Sequence, residues 1–150
     1  MPLTIGVLTS ADPLETRVAA SLDSIRKWTA NHYQVMIPAG AGRKIMLSDS
    51  DFSSAGASVV PDIETILSDS DICVALSPPV LDQIRGMKPG SILICLADPY
   101  RSPDLIQVCK DRNITLMALE LVPRITRAQS MDVLSSQSNL GGYRAVIEAA

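Results

Sequence analysis

DICVALSPPVLDQIRGMKPGSILICL, from Asp71 to Leu96, holds one full repeat of the alternation that builds the fold. Its ends, DICVAL at Asp71–Leu76 and SILICL at Ser91–Leu96, are short apolar runs of the length of buried strands. Pro78-Pro79 ends the first run, Leu81–Met87 has the length of a helix, and Lys88-Pro89-Gly90 is a stop and a turn. Strand, helix, turn and strand therefore follow one another directly.

The same alternation continues on both sides. TIGVL at Thr4–Leu8, YQVMI at Tyr33–Ile37 and TLMAL at Thr115–Leu119 are further strand candidates, and the short run Ala57–Val60 adds another. Ser21 is placed to cap a helix whose Leu22, Ile25 and Trp28 share one face. Asp51–Gly56, Ile63–Leu67 and Pro103–Arg112 supply later helices, and SADPLETRVAA, after the first strand, is a long loop. The pattern predicts one α/β domain over residues 1–150, with a doubly wound, mostly parallel sheet and helices on both faces. The segment from about Thr126 to Ala150 is expected to form one long helix, and its uncapped end at VIEAA suggests a chain cut at a domain boundary.

Composition agrees. Hydrophobic residues make up 47% of the chain but aromatics only 3%, so the core must be aliphatic, as in a parallel sheet covered by helices. A net charge of −3 with scattered Lys and Arg argues against nucleic acid as a partner. No apolar run is long enough to cross a bilayer. Cys73, Cys95 and Cys109 lie in apolar contexts without metal-ligand spacing, which predicts buried reduced thiols and a reducing compartment. The single histidine, His32, is expected at the surface in a helix-to-strand turn, and no metal site is expected.

Ligands of open α/β sheets sit beyond the carboxyl ends of the strands, which directs attention to two loops. The loop after the first strand carries Arg17, and PRITRAQSMDVLSSQSNLGGYRA follows the strand at Thr115–Leu119. On a helical wheel Asp132, Ser135, Asn139 and Tyr143 fall in a sector of roughly 60–80°, with Ser136 at its edge. Val133, Leu134, Leu140, Ala145 and Ile147 occupy the other side, where a core is expected. Gly141 and Gly142 weaken a helix by about 1 kcal/mol each relative to Ala, a cost tolerated where a backbone or ligand comes close. A plainer reading stays open: Thr126-x-x-Gln129 matches a capping box, and a serine-rich stripe can simply face water.

The stretch LELVPRITRAQSMDVLSSQSNLGGYRAVIEAA resembles the signature of the NAD(H)-binding alpha subunit of the proton-translocating nicotinamide nucleotide transhydrogenases. ETRVA at Glu15–Ala19, AGAG at Ala39–Gly42 followed by SDSDFSSAGA, and the KPGSIL turn extend the resemblance over essentially the whole chain. The resemblance implies that the signature loop and helix face the nicotinamide ring of NAD(H). The implied contacts are Arg124, Gln129, Asp132, Ser135 and Tyr143, none of them catalytic, because the cofactors carry the chemistry and the protein aligns the rings. It further implies as partners an NAD(H)-binding domain and the NADP(H)-binding and membrane subunits, with a cytoplasmic location peripheral to the inner membrane.

The related alanine dehydrogenases share this domain and hold a keto acid through an Arg resembling Arg17 and a Lys, where this chain has Ala75. Losing that ammonium weakens an alanine dehydrogenase reading and leaves Arg17 a weak candidate for lining a substrate cleft. The nearest approach to G-x-G-x-x-G, Gly40-Ala41-Gly42-Arg43-Lys44-Ile45, lacks the third Gly and reads as a loop. The expectation is one wall of an NAD(H) cleft, inactive and without tight NAD(H) binding when alone. The alternatives are a domain of an alanine-dehydrogenase-like enzyme and a stand-alone binding or regulatory module. In the resembled family the first domain is completed by chain returning after the nucleotide-binding domain, so an exposed apolar patch and self-association to a homo-oligomer are expected.

Overall fold

The structure, a computed structural model, describes residues 2–149. Six strands form one all-parallel sheet: β1 (Thr4–Val7), β2 (Gln34–Pro38), β3 (Ser58–Val60), β4 (Ile72–Val74), β5 (Ile92–Cys95) and β6 (Thr115–Ala118). Their order is β3-β2-β1-β4-β5-β6. The chain thus winds outward from β1 in one direction, then crosses back to β4 and winds in the other. This reversal leaves a crevice at the carboxyl ends of β1 and β4, where such sheets receive ligands. All the expected strands are present, including the short run near Ala57.

Five helices connect them: α1 (Leu22–Ala30), α2 (Asp49–Ser54), α3 (Ile63–Asp69), α4 (Leu81–Gly86) and α5 (Pro103–Asp111). Ser21 caps α1 by accepting the Ser24 backbone N–H, and Ile25 is fully buried beneath it. Helix α2 begins two residues earlier than the sequence suggests, because Ser48 and Asp51 form a reciprocal capping box. His32 is exposed with φ 65°, in the turn between α1 and β2.

The two sheet faces are covered unequally. One face packs Cys73, Leu93 and Cys95 beneath Ile66 of α3, Ile84 of α4 and Leu105 of α5. Burial pushes the Cys73 and Cys95 thiols up to about 12 and raises Cys109 as well, so all three stay protonated. The other face packs Val7, Val35 and Ile37 beneath Ile25 of α1 and Phe52 of α2. That cover stops at β1. On the same face Val74 still packs against that cluster, whereas Ile72, Ile92 and Ile94 are half-buried, Met117 is 48% exposed, and these four belong to neither core cluster. The expected apolar patch is this half of the sheet.

The signature segment departs from the single helix expected over 126–150. Thr126–Met131 is a 3-10 turn, and a separate helix α6 runs from Val133 to Ala149; Ala150 lies outside the described residues. The turn is entered at Ile125 with no side-chain cap, so Thr126 and Gln129 do not make the capping box that is the plainer reading of their spacing. Asp132 lies between the two pieces with φ −77° and ψ 89°, outside helical geometry, and opens α6. The apolar side of α6 is not core either. Val133 and Leu134 are half-buried, whereas Leu140, Ala145 and Ile147 are exposed, and the main contact of α6 is with the turn Leu119–Leu121 and not with a strand.

Candidate functional site

Residues after β6 are steered by Glu120, which lies in the 3-10 turn Leu119–Leu121. Its carboxylate accepts the Ala97 N–H at 2.9 Å and also the Asp98 N–H, tying the loop after β6 to the loop after β5. Buried Ala128 then anchors the Thr126–Met131 turn, leaving its neighbour Gln129 exposed.

Arg124, Ile125, Gln129, Asp132, Ser135 and Ser136 line one open concavity of about 340 Å³. Four of the five residues singled out in the sequence therefore meet around one space. Asp132 accepts the Ser135 N–H at 3.0 Å and the Ser135 hydroxyl at 2.6 Å. The Ser136 hydroxyl donates to the Asp132 carbonyl at 2.9 Å. These bonds from Ser135, aided by the charge of Arg124, hold the Asp132 carboxyl below its ordinary range, so it is an anion at neutral pH. The Arg124 and Gln129 side chains are exposed and make no hydrogen bond among the described residues. Two donor-bearing side chains thus stand uncommitted beside a fixed carboxylate.

Tyr143 does not join them. It is 71% exposed and eight residues beyond Ser135, about 12 Å along the helix axis. A Cβ added at Gly141 or Gly142 would meet nothing within 4 Å, so no close approach among the described residues requires either glycine.

Arg17 lies at a second place, the crevice at the switch of strand order. It lines a cavity of about 270 Å³ with Ala75, Leu76, Leu96, Val133 and Gln137. Ala75 is buried there, and no ammonium lines the cavity. The Arg17 guanidinium is occupied: Nε and Nη2 donate to Glu15 at 2.9 and 2.6 Å, and Nη1 donates to Gln137 at 2.9 Å. Hydrogen bonds from Arg17 hold the Glu15 carboxyl down at about 2. The sequence offered no signal for Gln137, because its partner lies 120 residues away.

The AGAG segment is a packed loop. Gly40 adopts φ 75° and donates its N–H to Asp49 at 2.8 Å, and a Cβ at Gly42 would collide with the Leu47 carbonyl and the Phe52 ring. Among the described residues no group of His, Cys, Asp and Glu is arranged to hold a metal, and no helix is long and apolar enough to cross a membrane.

Comparison with known proteins follows the same lines. The model of the family described as "Alanine dehydrogenase/PNT, N-terminal domain" matches residues 6–141. The chain is 38% identical over 135 residues to NAD(P) transhydrogenase subunit alpha of Cereibacter sphaeroides, which covers 90% of this chain and 26% of that protein. The crystal structure of transhydrogenase from Sinorhizobium meliloti superposes with a TM-score of 0.91 at 39% identity, covering 98% of this chain and 44% of that one. An L-alanine dehydrogenase structure superposes with a TM-score of 0.75 at 26% identity, covering 80% of this chain and 33% of that one. The chain thus spans between 26% and 44% of the length of these relatives.

Proposed function

The chain belongs to the alanine dehydrogenase/PNT N-terminal domain family, and from that premise we propose that it is the part of an NAD(P) transhydrogenase alpha subunit that walls the nicotinamide side of an NAD(H) site. The observation that carries this reading is the convergence of Arg124, Gln129, Asp132 and Ser135 on one open concavity. Their donor set suits the group. Arg124 and Gln129 have unspent donors for a carboxamide oxygen or a phosphate, while Asp132 and Ser135 are already bonded to each other and form a rigid polar floor.

NAD(H), when bound, supplies the redox chemistry, and this chain supplies orientation. Gln129 and Arg124 fix the ring's carboxamide, which governs which ring face is presented to a second nucleotide. Asp132 stays ionised and holds the Ser135 hydroxyl by accepting its proton in a hydrogen bond. The division of labour makes this chain a component of an oxidoreductase coupled to proton movement, inactive alone. Its partners in that assembly are an NAD(H)-binding domain and the NADP(H)-binding and membrane subunits, on the cytoplasmic side of the inner membrane. The crevice favours an alanine dehydrogenase reading less, since it has Ala75 in place of a cation and its Arg17 is already paired.

The test is hydride transfer between NADH and an NADP analogue in the assembled enzyme. Gln129→Asn shortens the amide by one methylene and is expected to lower the turnover about tenfold or more. Unchanged turnover counts against the assignment.

A further inference from the structure

We propose that Arg17 is a positioning residue, which latches helix α6 through Gln137 and so sets the direction in which the signature residues face. The proposal rests on the function proposed above for its consequence, but the latch stands on geometry alone.

Helix α6 is held weakly. Beyond Val133 and Leu134 its side chains are exposed, and among the described residues the bond from Arg17 to Gln137 is the one hydrogen bond joining it to chain before Asp132. Half-buried Val133 lines the cavity together with Ala75, Leu76, Leu96 and Leu119, and the near end of the helix rests against the turn Leu119–Leu121. Contact at the first turn alone leaves the rest of the helix unfixed, and Gln137, one turn after Val133 on the same side, supplies the second point. Ser135 and Gln137 are two residues apart, so they project roughly 160° from each other. Fastening the Gln137 side inward therefore turns the Ser135 side out, toward the concavity.

The latch is anchored at its other end. Glu15 accepts the Arg17 backbone N–H as well as two guanidinium donors, which fixes the direction of Nη1. Lys44, from the 3-10 turn Arg43–Ile45, donates to the carbonyls of Pro13 and Glu15 at 2.6 and 3.0 Å and holds that loop to the body. ETRVA thus has a use that does not involve a substrate: its Glu orients its Arg, and its Arg orients a helix from the far end of the chain.

The experiment places spin labels at Ser138→Cys on α6 and Lys110→Cys on α5, both exposed, in the full chain; the buried native thiols resist labelling. One narrow distance is expected in the parent. Gln137→Leu should broaden or shift it, whereas Gln137→Glu, which keeps an acceptor for Arg17, should preserve it. Leu and Glu are similarly good helix formers, so a difference between them reports the bond and not helix stability. An unchanged distance in Gln137→Leu overturns the latch.

In the assembled enzyme Gln137→Leu should lower kcat about tenfold with little change in the KM for NADH, and Gln137→Glu should restore it. If Gln129→Asn impairs hydride transfer and Gln137→Leu does not, the positioning role is wrong while the nicotinamide site stands. If the distance changes but neither variant affects turnover, the latch stands and the site assignment falls.

Discussion

Asp132 caps α6 by accepting both the backbone N–H and the hydroxyl of Ser135, at 3.0 and 2.6 Å. Asp and Asn cap helices comparably, whereas Ala does not. Asp132→Ala is therefore expected to speed amide exchange in the first turn of α6 several-fold, and Asp132→Asn to leave it nearly unchanged. In the assembled enzyme both should slow hydride transfer, because both remove the anion from the concavity. Exchange monitored residue by residue, set beside turnover, separates the cap from the charge.

The cap also explains what the sequence concealed. Asp132 followed three residues later by Ser135 has the spacing of a helix start, yet the helical periodicity around it reads through that point. A wheel drawn over Thr126–Ala150 consequently put Asp132 on a stripe, when it lies outside α6 and meets Ser135 through the cap. The strands were far easier to read. DICVAL and SILICL announce themselves by length and apolarity, and Ser21 marks the start of α1 by its capping chemistry. Contacts made only by folding left no such trace, above all the one between Arg17 and Gln137. The open half of the sheet left no trace in β5 either, because half-buried Ile92 and Ile94 are as apolar as fully buried Leu93 and Cys95.

The Glu15–Arg17 pair should be robust to acid. The Glu15 carboxyl is held from its ordinary 4.5 down to about 2, so the stability it contributes is fully present above pH 4.5 and is lost as the pH falls through about 2. Arg17 and Lys44 are the charged groups beside it. NMR titration of the Glu15 side-chain carboxyl carbon should give a midpoint well below the ordinary glutamate value of 4.5. A midpoint near 4.5 would show that the clamp does not persist in solution.

Leu93 and Ile94 are adjacent on β5 but face opposite sides of the sheet. Leu93→Ala empties a closed core and should cost about 2–5 kcal/mol, while Ile94→Ala, at a half-buried side chain, should cost about 1 kcal/mol. Equal costs in denaturant unfolding would mean that the open face is covered in solution. The same face should drive concentration-dependent association of the isolated chain in sedimentation, and Met117→Lys should suppress it.

Gly141 and Gly142 lie inside α6 with open space around them. Replacing either with Ala should stabilise α6 by roughly 0.5–1 kcal/mol in the isolated chain. If a partner backbone packs there in the assembled enzyme, the same substitutions should weaken assembly. Helix content by circular dichroism and assembly by gel filtration report the two effects separately.

The isolated chain is expected to bind NADH no more tightly than the micromolar range, because the uncommitted donors of Arg124 and Gln129 meet only one side of the ring. Sub-micromolar binding by calorimetry would place a complete nucleotide site within these residues.

The most direct measurement is of nuclear Overhauser contacts between the nicotinamide protons of bound NADH and the side chain of Gln129, in this chain assembled with its NAD(H)-binding domain. Contacts from the ring to Gln129 and Ser135, lost in Gln129→Ala, are the expected result. Contacts to the loop containing Arg43 and Lys44, with none at Gln129, would contradict the assignment of the nicotinamide wall.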